Sequence, residues 1–181
     1  MATDLQIEKL DRAFDHIDAG HTGEIERDDM LSLGSRVLLG FGEAPTSHKG
    51  KNLLDRFDEL WTEILAHADS DGSGTISPAE FRTAMVTAYI DGQKFDKTFR
   101  PAAIALAALC DTDGDGAITL REFESLQAAF GTPDPEASAA FERLDLDRNG
   151  TLSVDELVRA AHEYYTSPDP GAPGNHLFGP L

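Results

Sequence analysis

Carboxylates and small hydroxyl side chains recur in this 181-residue chain at a spacing suited to wrapping a hard cation. Residues 69–80 read DSDGSGTISPAE, residues 111–122 read DTDGDGAITLRE, and residues 145–156 read DLDRNGTLSVDE. Each run has Asp at positions 1 and 3, an oxygen-bearing side chain at 5, Gly at 6, an aliphatic residue at 8 and Glu at 12. Calcium takes about six to eight oxygens at roughly 2.3–2.6 Å, and a loop of this pattern supplies them from positions 1, 3, 5, 7, 9 and 12. Position 7 gives a main-chain carbonyl, and the long terminal Glu can bind through both oxygens. Glycine at position 6 permits the left-handed turn that closes the loop. The pattern is that of the EF-hand calcium loop.

Candidate ligands follow position by position. In 69–80 they are Asp69, Asp71, Ser73, the Thr75 carbonyl, Ser77 directly or through a water, and Glu80. In 111–122 they are Asp111, Asp113, Asp115, the Ala117 carbonyl, Thr119 by the same route, and Glu122. In 145–156 they are Asp145, Asp147, Asn149, the Thr151 carbonyl, Ser153 and Glu156. The ligand slots hold three, four and three carboxylates in turn. More carboxylates mean tighter calcium binding, so the 111–122 loop is expected to be tightest.

A degenerate copy lies at 18–29, DAGHTGEIERDD. Asp18, Thr22, the Glu24 carbonyl, Glu26 and Asp29 fall at ligand positions, but Gly20 at position 3 offers no side-chain oxygen. Asp29 is one methylene shorter than Glu, which suits the smaller octahedral demand of magnesium. This loop reads as a weak calcium site, a magnesium site or an empty structural partner. Starting the frame at Asp15 instead places Thr22 where an apolar residue belongs, and is rejected.

The elements that must hold these loops are helices. Apolar residues fall one and four positions before each loop: Ile17 and Phe14, Ala68 and Leu65, Cys110 and Ala107, Leu144 and Phe141. A large apolar residue follows each: Met30, Phe81, Phe123 and Leu157. Spacings of three and four residues mark one face of a helix. The pattern predicts eight helices, at about 4–17, 27–39, 51–68, 78–90, 99–110, 120–130, 132–144 and 154–165. Pro101 falls in a first turn, where its missing N–H costs nothing, and Gly131 is placed as a C-terminal stop. Residues 167–181 are rich in Pro and Gly and predict an irregular tail, with Leu177 and Phe178 able to dock on the body. The loops pair first with second and third with fourth, so Ile25 should meet Ile76, and Ile118 should meet Leu152, as short antiparallel bridges. The expected fold is all-α: four EF-hand helix-loop-helix units in two pairs, 1–92 and 93–165, packed as one body, with a tail at 166–181.

Four hands in about 180 residues, unequal loop spacing, and a first loop ending E-R-D-D-M are similar to the sarcoplasmic calcium-binding proteins and their calerythrin-like bacterial relatives. The resemblance covers nearly the whole chain. It implies a calcium-loaded single body rather than a two-lobed dumbbell, and a first site with Asp at its end that still binds metal. Two departures stand out. Gly20 replaces the acid usual at position 3 of the first loop, and the second loop, often defective in the family, is complete here.

Composition narrows the function further. Asp and Glu number 33 against 15 Lys and Arg, for a net charge of −18. That argues against sequence-independent nucleic-acid binding and against docking on anionic membranes. One cysteine excludes an internal disulfide framework, and Cys110 reads as packing. The six histidines show no paired spacing for zinc, and D-G-S-G-T lacks the Lys-Ser/Thr ending of a phosphate loop. No apolar run is long enough to span a bilayer, and the acidic N-terminus lacks a secretory signal's apolar core, which points to a cytoplasmic protein; a monomer is expected. No catalytic motif is present, so an enzyme is not expected. The leading expectation is a calcium buffer holding three ions, with magnesium as competitor. The alternative is a calcium sensor that exposes an apolar surface to a target protein. Three methionines are few for a flexible sensor groove. A binder of a luciferin-like small molecule is a third reading, disfavoured by a single Trp61 and three Tyr.

Overall fold

The computed structural model describes residues 2–179, so Met1, Pro180 and Leu181 lie outside the described residues. Among the described residues nine helices form: α1 (Asp4–Ile17), α2 (Arg27–Gly40), α3 (His48–Ala68), α4 (Pro78–Ala84), α5 (Phe95–Thr98), α6 (Arg100–Cys110), α7 (Leu120–Ala129), α8 (Asp134–Leu144) and α9 (Val154–Thr166). A π-helical turn, Met85–Ile90, extends α4, and a 3-10 turn, Pro173–His176, lies in the tail.

The helices that leave the three complete loops start the same way. Ser77, Thr119 and Ser153 cap α4, α7 and α9, each accepting from the N–H of the Glu three residues on, whose carboxylate bonds back to the capping residue's N–H. This reciprocal capping box satisfies main-chain donors that a helix start leaves free. α1 has the same device in Thr3 and Gln6. Gly131 ends α7 at φ +81°, and the Thr132 N–H reaches back to the Gln127 carbonyl at 2.9 Å, closing the helix as a Schellman turn.

Three elements depart from the sequence expectation. α3 starts at His48 rather than 51, because Ser47 caps it by accepting from Gly50 N at 2.9 Å. The expected helix over 78–90 stays α-helical only to Ala84, and the Asp91 N–H then bonds Val86 O in a wider turn. Thr87 Oγ1 bonds the Thr83 carbonyl there, a side-chain bond that bends helices. The segment before α6 forms the extra short helix α5, whose Phe95 ring stacks at 5.4 Å on that of Phe99, the residue that follows it.

Loops pair as expected. Ile25 and Ile76 form an antiparallel bridge, and β1 (Ala117–Ile118) pairs with β2 (Leu152–Ser153), Ile118 opposite Leu152. All four bridge residues are buried. One apolar core runs through both hand pairs, from Leu10, Phe14, Phe57 and Trp61 to Phe123, Leu157 and Tyr164. α3 packs on α6, α2 on α7, and α1 on α9, so each pair closes the other's apolar face.

The tail docks. Leu177 is buried, and Phe178 lies 4.9 Å from the Tyr164 ring and 5.3 Å from His16. Gln127 Nε2 donates to the Leu177 carbonyl at 2.6 Å. Fully buried Lys9 donates to Asn175 Oδ1 at 2.9 Å and to the carbonyls of Ser167 and Glu163. Burial lowers the Lys9 pKa to about 8, against a smaller raising effect of the Glu163 carboxylate.

Candidate metal centre

Helix ends deliver the first candidate ligands. α3, α6 and α8 each stop at the residue before Asp69, Asp111 and Asp145, and α1 stops before Asp18. Each of these Asp residues folds its own loop with its two oxygens. Asp69 Oδ1 accepts from the N–H groups of Gly72 and Ser73, and Oδ2 from Gly74. Asp111 does the same with Gly114, Asp115 and Gly116, and Asp145 with Asn149 and Gly150. Asp18 follows with Thr22 and Gly23.

The sixth position has positive φ in all four loops: Gly23 +88°, Gly74 +82°, Gly116 +86° and Gly150 +86°. The fourth position is left-handed too, in Gly72, Gly114, His21 and Arg148. A non-glycine residue rarely adopts that conformation, and its recurrence shows that the degenerate loop keeps the backbone of the other three.

Acidic oxygens converge in three places among the described residues. Asp69, Asp71 and Glu80 bring ligand atoms within 4.8 Å of one another, as do Asp111, Asp113 and Asp115, and Asp145, Asp147 and Glu156. Oxygens this close repel unless a cation sits among them. The fifth-position side chains Ser73, Asp115 and Asn149 accept from the N–H of Thr75, Ala117 and Thr151, which bends those seventh residues into the loop.

The twelfth-position Glu residues clamp the loops shut. Glu80 Oε1 accepts from Ser70 N and Oγ, and Oε2 from Ser77 N and Oγ, which together hold its pKa down at about 2. Burial pushes Glu122 upward, but bonds from Thr112 and Thr119 outweigh it and leave the pKa at about 2. Glu156 is lowered in the same way, burial being overcome by bonds from Ser153 and Leu146. All three carboxylates therefore stay ionised and ready to receive a cation. The ninth-position hydroxyls of Ser77, Thr119 and Ser153 are engaged with these carboxylates, as helix caps.

The first loop is arranged differently. Thr22 Oγ1 bonds the Glu24 carbonyl at 2.9 Å, and the Glu24 carboxylate accepts from Thr75 Oγ1 on the neighbouring loop. Asp29 Oδ2 accepts from Glu26 N at 2.8 Å, capping α2, and Gly20 contributes no oxygen from a side chain. Asp18, Thr22, Glu24, Glu26 and Asp29 thus form no acidic triad like the other three.

Two contributions escaped the sequence reading. Ser70 and Thr112 at the second loop position donate to the terminal Glu, which a hydroxyl directly after the first Asp could have signalled. Lys49 donates to the Asp111 carbonyl at 2.6 Å across 62 residues of chain, and no local pattern reports that.

The EF hand family profile matches residues 64–86, 110–127 and 138–160. A solved calcium-binding protein of Streptomyces coelicolor is 32% identical, covers 91% of this chain and 99% of its own, and superposes with a TM-score of 0.81. This chain is a calerythrin-like EF-hand protein of the sarcoplasmic calcium-binding family. Calerythrin of Saccharopolyspora erythraea is 26% identical over 167 residues, covering 91% of this chain and 94% of calerythrin. The sarcoplasmic calcium-binding protein of amphioxus shares the fold of this EF-hand protein over the full length of both chains, with a TM-score of 0.78 at 19% identity. The family and the three acidic loops together make calcium the cation that this EF-hand protein binds. Among the described residues no helix is long and apolar enough to cross a membrane.

Proposed function

We propose that the protein is a cytoplasmic, monomeric calcium buffer that takes up three ions, one in each of loops 69–80, 111–122 and 145–156. The ligands are those assigned from loop position, with the first loop serving as a structural partner to the second. The observation that carries this reading is the triad of acidic oxygens in each of three loops against its absence in the fourth. Calcium supplies charge neutralisation there. The chain's own residues shape the loops, hold the Glu carboxylates ionised and cap the exiting helices.

Buffer rather than sensor is supported by the closed core. Met30 and Met85 are buried, and the large apolar side chains that are exposed among the described residues, Leu39, Ile104, Leu120 and Leu146, sit on different elements. Among the described residues no Met-lined groove of the kind a sensor opens is prepared. The second reading, a sensor, is favoured by one observation: the S. coelicolor relative is described in terms of prokaryotic calcium-mediated regulation.

Titrating calcium into metal-free protein with an environment-sensitive apolar dye, in a magnesium background, separates the two readings. A buffer keeps the dye signal flat or lowers it as ions bind. A sharp rise with binding would overturn the buffer reading in favour of the sensor.

A further inference from the structure

We infer that Lys49 is an affinity-determining residue of the third calcium loop, supplied from the other pair of hands. The inference rests on the reading that loop 111–122 binds calcium. Lys49 lies in the first turn of α3, half-buried, and its ammonium donates to the main-chain carbonyl of Asp111 at 2.6 Å. Asp111 is both the C-cap residue that follows α6 and the first candidate ligand of the loop. A cation there complements the negative end of α6. It is also fixed beside the loop with the most carboxylates.

The charges around the three loops differ accordingly. Loop 111–122 has four carboxylates in its ligand slots where the others have three. Among the described residues Lys49 makes no ion pair, so its charge is left to act on the loop. Arg121 and Arg148, the basic residues within the third and fourth loops themselves, are exposed. Lys49 brings the sum over the four ligand-slot carboxylates of the third loop to −3, the value that the ligand-slot carboxylates of each of the other two loops sum to. The ammonium steadies the empty loop against its own repulsion and opposes the arriving divalent cation. This reverses the expectation from carboxylate count: the third loop is levelled with its neighbours rather than set apart as tightest.

The test is calcium titration by calorimetry of the full chain, its Lys49→Met and Lys49→Arg variants, and each variant combined with Glu122→Gln. Lys49→Met should tighten one site by about threefold to tenfold at low ionic strength, as the loss of a unit charge within roughly 10 Å implies. The gain should vanish near 1 M salt, where the screening length is about 3 Å. Lys49→Arg should match the parent, and Lys49→Met should change nothing once Glu122→Gln has disabled the third loop. Unchanged or weaker binding in Lys49→Met, or an equal change at every site, overturns the role of Lys49 while leaving the calcium site intact. A parent chain in which Glu122→Gln removes no calcium overturns the third-loop reading itself, and the inference with it.

Discussion

Glu80, Glu122 and Glu156 each do two jobs. They close their loops by accepting from both ends, and they cap the helix that follows. Glu122→Gln should therefore lower the number of tightly bound calcium ions by one, read by calorimetry, while loops 69–80 and 145–156 keep theirs. The same bonds set a pH dependence in the metal-free protein. The carboxyls of Glu80 and Glu122 titrate near 2 in the fold against an ordinary value of 4.5. A depressed carboxylate pKa stabilises the fold above the ordinary value, and that contribution is lost as pH falls toward the folded value. Urea midpoints of metal-free protein should thus decline between about pH 4.5 and pH 2, and less so in Glu80→Gln. The acidic positions that converge in these loops were legible in the sequence because a loop built to wrap one ion has its chemistry at fixed intervals. Lys49 was not, because its partner is brought to it only by the packing of α3 on α6.

α3 shows what local pattern can and cannot report. Phe57, Trp61 and Ile64 on its buried face follow the helical repeat and could be read directly. Its start could not, because it depends on a close approach. A Cβ at Gly50 would come within 2.2 Å of the Ala44 carbonyl oxygen, so the chain entering α3 passes over a position where only glycine fits. Gly50→Ala should cost about 2–4 kcal/mol of stability by urea unfolding, since backbone rather than a flexible side chain must move. The tail is held by an equally non-local device. Lys9 on α1 was unremarkable in the sequence, yet it is fully buried and satisfies Asn175 and two carbonyls near the end of α9 and in the tail. Lys9→Ala should destabilise the protein by about 2–4 kcal/mol, leaving buried acceptors unpaired, and should open residues 167–179 to limited proteolysis. The same α3 links two loops: it runs directly into Asp69 at one end and carries Lys49 to Asp111 at the other.

One core serves all four hands. Phe178, Tyr164, Phe130 and His16 meet in an aromatic cluster that draws on α1, α7, α9 and the tail. A cavity of about 100 Å³ lies within this core, lined by rings that include Phe57, Phe99 and Tyr165. The number of hands, their pairing and the two loop bridges were readable from loop spacing and the eighth-position residues. The way the two pairs face each other rested on family resemblance alone, because the contacts α3 with α6 and α2 with α7 join segments far apart in the chain. A shared core predicts cooperative unfolding in one transition. Each site saturated at about 100 times its dissociation constant adds about 2.7 kcal/mol to the folded state. Calcium should thus raise the thermal midpoint in a single step that grows with ion concentration, as followed by circular dichroism. The most direct test of the account is the count of bound ions per chain, by equilibrium dialysis with radioactive calcium in a magnesium background. Three ions are predicted. Four would mean that the first loop binds despite Gly20, and two or fewer would mean that an acidic triad does not by itself make a calcium site here.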